Sequence, residues 1–146
     1  MENEITIFFN NMRLLPGLES AVETHSKQVR IPISSQMFQK SNMKGLAILL
    51  YPLMTMMIEV LPKGQQTKLA ASITSNWFPY GLAEIKCFKT AVMQAADALA
   101  TAGHLPGQED KSCFRNTVLT KNVLETAQGS KVWRALRLLS DQAVRQ

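Results

Sequence analysis

The sequence predicts a mostly α-helical protein organised around one short β-strand that pairs antiparallel with the same strand of a second chain. Three observations predict it. Most of the chain carries apolar residues at helical spacing, punctuated by single glycines and prolines. The stretch from Ser26 to Ile33 alternates instead, with Val29, Ile31 and Ile33 set between Gln28, Arg30 and Pro32. In a strand that order sends the apolar side chains to one face and Gln28 and Arg30 to the other. Finally, a solitary strand has no sheet to join, and its backbone donors and acceptors find their simplest partner in a second copy of itself.

Ile5, Phe8, Met12 and Leu15 form the stripe of a first helix, closed by Pro16-Gly17, and Leu18, Ala21, Val22 and His25 suggest a second. After the strand, Pro32 ends ladder pairing, a role proline fills at strand ends. Ser34 or Ser35 then caps a short helix carrying Met37 and Phe38. A polar break, Lys40-Ser41-Asn42, leads into a long helix from Met43 to Leu61, in which Pro52 removes one hydrogen bond and should kink or split it. Gly45 to Ile58 has no charged residue and is apolar on every side, so it should be buried on every side. It is shorter than the roughly 20 residues of a bilayer span, and its methionines read as core filling.

Beyond Pro62-Lys63-Gly64, Leu69, Ile73 and Trp77 suggest a short helix. The clearest helix runs from Pro79 to Ala102, with Leu82, Ile85, Phe88, Val92, Ala95, Leu99 and Ala102 read as one face and Gly103 and Pro106 as its stop. Val118, Leu119, Val123 and Ala127 mark another, ended by Gln128-Gly129. Ser130 caps the last, which carries Val132, Leu136, Leu139 and Ala143. Three segments follow: an N-terminal helical extension (1–25), a dimerisation and binding unit (26–62) and a helical C-terminal unit (63–146).

Strand, short helix, polar turn and long apolar helix, with Arg30-Ile31-Pro32 at the strand end, resemble the ribbon-helix-helix family over residues 26–62. The resemblance implies a homodimer whose two strands enter the major groove of double-stranded DNA as a ribbon. Ser26, Gln28 and Arg30 would then face the bases, glutamine and arginine being the types that read adenine and guanine. Lys27, Lys40, Asn42, Met43 and Lys44 would meet phosphates. Val29, Ile31, Ile33, Phe38, Leu46, Leu49, Leu50 and Leu53 would build the dimer core. The chain departs from the family in its short first helix, in lacking a glycine in the turn before Gly45, and in Pro52.

Charge points the same way. Of a net +5, residues 27–68 hold Lys27, Arg30, Lys40, Lys44, Lys63 and Lys68 against Glu59 alone, the excess that phosphate binding requires. The expected function is therefore a dimeric, sequence-specific DNA-binding protein. It would regulate transcription or assist at a transfer or partition origin, and a further protein could dock on the C-terminal unit.

Chemistry is sparse. His25 and His104 have no Cys, His or carboxylate at metal spacing, and all seven glycines are isolated. Cys87, His104 and Cys113 could meet on zinc only by long-range folding. No enzyme activity, cofactor or metal is expected. The acidic start Met1-Glu2-Asn3-Glu4 shows no secretory pattern and the two cysteines are far apart, so a cytoplasmic protein with no membrane partner is expected. The alternative is an all-α interaction protein, a chaperone or assembly subunit that binds no DNA. It accounts for the apolar helix and for the cluster Trp77-Phe78-Pro79-Tyr80 without the ribbon; that cluster either packs a corner between helices or docks a partner, aromatics being typical anchors.

Overall fold

The structure, a computed structural model, describes the backbone of residues 2–110 and 113–145 and the side chains of residues 3–107 and 116–145. Helix α1 (Glu2–Leu14) ends as the stripe predicts, and Gly17 joins it to α2 (Leu18–Val29) with a left-handed φ of 79° that glycine adopts without strain.

The ribbon is not formed. Helix α2 continues through Val29, so Ser26, Lys27, Gln28 and Val29 are helical, and 31–34 is irregular connection. The cause is legible in the spacing. Leu18, Val22, His25 and Val29 lie at i, i+4, i+7 and i+11, so Val29 completes a helical stripe as readily as it opens a strand. Arg30 then takes a left-handed backbone (φ 59°, ψ 41°), and Ile31 N donates to Ser26 O at 3.1 Å, a bond characteristic of a helix C-terminus. Pro32 bars Ile31 from the helical region. It ends a helix, not a ladder.

The short helix expected from Ser34 to Lys40 is replaced by successive turns, with Met37 N donating to Ser34 O and Gln39 N to Gln36 O. Asn42 then caps α3 (Met43–Met57): its Oδ1 accepts from Gly45 N at 2.9 Å and its Nδ2 donates to Met37 O at 3.3 Å. A Cβ at Gly45 would lie 2.5 Å from Asn42 Nδ2 and 2.7 Å from the Met37 methyl, so a larger residue there would displace the capping side chain. Pro52 does not split α3, which passes directly into a 3-10 turn at Ile58–Val60.

Helix α4 (Lys63–Ser75) and helix α5 (Leu82–Thr101) follow. Strands β1 (Gly107–Asp110) and β2 (Cys113–Asn116) make an antiparallel hairpin, Gly107 opposite Asn116, which the sequence reading did not anticipate. Helix α6 (Lys121–Thr126) is short, leaving Val118 and Leu119 before it, and α7 (Ser130–Arg145) is the last.

The chain forms two compact units. One comprises Met1–Leu53 with Asn122–Gln146 and the other Met54–Lys121. In the first, α1 lies against α7. Trp133 sits among Phe8, Phe9 and Phe38 at ring-centroid distances of 6.1, 5.7 and 5.0 Å. Beside these rings, Asn11 Nδ2 donates to Ser140 Oγ (3.0 Å) and Asp141 Oδ1 (2.7 Å), and Arg137 pairs with Glu4 and Asp141. In the second unit, α4 packs on α5, and Asp97 of α5 accepts from Asn116 N, tying the hairpin's end to the helix.

Candidate docking surface

The residues expected to read DNA do not come together as a reading surface. Ser26 and Gln28 point about 160° apart around a helix. Ser26 is also half-buried and its Oγ donates to Ile31 O at 2.5 Å. Gln28, Lys27 and Arg30 are exposed, but Arg30 stands at a helix end. The expected dimer core is accounted for within one chain. Phe38, Leu46, Leu49, Leu50 and Leu53 are buried there, with Phe38 edge-on to Trp133, while Val29, Ile31 and Ile33 are half-buried. Of the expected phosphate contacts, Asn42 is occupied in capping α3 and Met43 is half-buried, whereas Lys40 and Lys44 are exposed.

Those two lysines flank a seam in the first unit. Residues 38–42 run against 127–129 through three bonds: Gly129 N to Phe38 O (2.8 Å), Gln128 Nε2 to Gln39 O (3.0 Å) and Asn42 N to Ala127 O (3.0 Å). The starts of α3 and α7 therefore lie side by side. Exposed Lys131 and Arg134 begin α7, and neither helix has an acidic residue in its first turn.

The second unit carries a surface of another kind. Trp77, Phe78, Pro79 and Tyr80 form the corner between α4 and α5. Trp77 N donates to Thr74 O and Tyr80 N to Phe78 O, which fixes the chain's turn. The rings form a chain from core to solvent. Buried Phe88 neighbours Trp77 at 6.1 Å, Trp77 meets Phe78 edge-on at 4.8 Å, and Phe78 meets Tyr80 at 4.9 Å. Tyr80 is 63% exposed and Leu82 is 88% exposed.

Leu82 was expected on one face with Phe88 and Val92, yet six residues from Leu82 to Phe88 turn the helix by about 240° net. Phe88, Val92 and Leu99 face the core and Leu82 faces away. Glu84 is engaged at the helix start, where its Oε1 accepts from Gly81 N at 3.3 Å.

Cys87 is exposed and His104 half-buried; the Cys113 side chain lies outside those described. Among the described residues, no three His, Cys, Asp or Glu side chains gather where they could hold a metal ion. Among the described residues one helical stretch, Met43–Val60, is long and apolar enough to cross a membrane by length and composition alone, and 56% of it is buried in the protein. No protein-family model matches the chain, and neither does any curated protein or solved structure.

Proposed function

We propose that this protein is a helical interaction module that docks a protein partner on the corner formed by Trp77, Phe78, Tyr80 and Leu82. The carrying observation is the exposure of Leu82 and Tyr80 at the end of a ring chain anchored in the core. Single exposed apolar side chains are ordinary, but Tyr80 ends a chain of contacting rings on a turn held by backbone bonds, with exposed Leu82 two residues on, and such a turn is a preorganised anchor. Burying a leucine side chain contributes about 1.5–3 kcal/mol, and edge-on ring pairs contribute about 0.5–1.5 kcal/mol beyond area alone. These terms are available to a partner without reorganising the corner.

The test is a double variant, Tyr80→Ser with Leu82→Ser. Both positions are exposed, so the thermal midpoint should move little. In extracts of the source cells the wild-type chain is expected to migrate in an assembly larger than its 16.3 kDa, and the variant as the free chain. Identical migration of the two proteins would overturn the reading.

A second reading, duplex DNA binding without base recognition, is favoured by the seam in the first unit. Lys44 and Lys131 stand in the first turns of α3 and α7, at the positive ends of the helix dipoles, where cations are disfavoured. A phosphate backbone would offset both, and the absence of first-turn carboxylates leaves it room. With Lys40, Lys44, Lys131 and Arg134 neutralising about four phosphates, log K should fall against log salt with a slope of about −4, equally for all duplexes. Binding that survives Lys44→Glu with Lys131→Glu unchanged, or no binding at low salt, excludes it.

A further inference from the structure

We infer that the partner seated on this corner presents an acidic amphipathic helix that lies along the first three turns of α5. The inference rests on the docking reading and goes beyond it by fixing the partner's shape and charge. Leu82, Lys86, Lys89 and Met93 fall at i, i+4, i+7 and i+11, the spacing that keeps one seam turned toward a neighbouring helix. Leu82 and Lys86 are exposed, and Lys89 and Met93 are half-exposed. Phe88, Val92 and Leu99, about 100° round α5 from the seam, are buried. The seam thus has an apolar end at Leu82, two residues from exposed Tyr80, two cations in the middle and a methionine beyond them. It spans about 16 Å at 1.5 Å per residue, which matches a partner helix of about three turns.

Charge decides what kind of helix fits. Glu84 is the one carboxylate between Leu82 and Met93. It points about 160° from Leu82 around the helix and accepts from Gly81 N, so it does not neutralise the seam. A second copy fits poorly. An antiparallel pairing of two α5 helices that brings Leu82 onto Met93 of the mate also brings Lys86 onto Lys89 of the mate, and a parallel pairing sets each lysine against itself. Like charges so opposed are repulsive. A helix with apolar residues facing Leu82 and Met93, and glutamates or aspartates facing Lys86 and Lys89, meets every group on the seam.

Two synthetic helical peptides of equal length test this, each with leucines at i and i+11. Positions i+4 and i+7 hold glutamates in one peptide and lysines in the other, and binding is read by fluorescence anisotropy at low salt. The wild-type protein should bind the glutamate peptide at least tenfold more tightly. Lys86→Glu with Lys89→Glu should reverse the preference, and Leu82→Ser should weaken both peptides at least fivefold with the thermal midpoint unchanged. Equal binding of the two peptides, no reversal in the charge variant, or no binding of either peptide overturns the acidic-helix inference. If Leu82→Ser still weakens binding when charge does not matter, the docking corner stands and only the partner's charge is wrong. Self-association lost on Leu82→Ser would replace the acidic helix by a second copy.

Discussion

Arg30 shows how much one residue's backbone decides. It ends α2 in the left-handed region at φ 59°, a conformation that costs a residue with a Cβ roughly 1–2 kcal/mol and glycine almost nothing. Arg30→Gly should therefore raise stability by up to about 1 kcal/mol, part of the gain being offset by glycine's larger unfolded-state entropy; a denaturant midpoint checks it. A lower midpoint would mean that the arginine side chain contributes more than its backbone costs. Asn42 is the opposite case, a residue whose side chain is fully used. Asn42→Ala removes the α3 cap and the link to Met37 and should cost about 1–2 kcal/mol, whereas a phosphate ligand at that position would leave stability unchanged. Neither role was legible in the sequence. A left-handed helix end is normally signalled by glycine, and an asparagine before a helix reads as a cap only once the start of the helix is known.

At the scale of elements, the helices with long stripes were legible, whereas the shorter ones were anticipated with displaced ends and the one expected from Ser34 to Lys40 does not form. The first, the long fifth and the last helix were anticipated from apolar spacing because each sustains its period over several turns. The window 26–33 is too short to separate the two periods, since Val29 satisfies both, and the alternation after it is carried by an irregular segment. The β-hairpin was invisible because Gly107-Gln108-Glu109-Asp110 contains none of the branched or aromatic residues that announce a strand. Packing between elements follows from few residues. Trp133 joins α7 to α1 through Phe8 and Phe9 and to the turns before α3 through Phe38. Trp133→Ala should destabilise by about 3–5 kcal/mol, whereas Arg134→Ala, one residue on and exposed, should lie within about 0.5 kcal/mol of wild type. Comparable losses at both positions would contradict the packing described.

For the whole molecule, the question raised by an apolar helix is what covers it. Leu46, Leu49, Leu50 and Leu53 are buried by the chain itself, so folding does not require a second copy to complete the core. Thermal midpoints should accordingly be independent of protein concentration, and a midpoint that rises with concentration would show that association is part of folding. The candidate site was half legible. The sequence offers Trp77-Phe78-Pro79-Tyr80 as an aromatic cluster, but only the fold shows which rings turn outward. Leu82 looked like a core residue because a wide apolar stripe tolerates one member out of phase.

The most direct measurement is residue-resolved solvent footprinting of the purified chain and of the same chain in its native assembly. Tyr80 and Leu82 should be reactive in the purified protein and protected in the assembly, with Lys40, Lys44 and Lys131 unchanged. Equal reactivity of Tyr80 and Leu82 in both states, or protection confined to the lysine seam, would contradict the docking function.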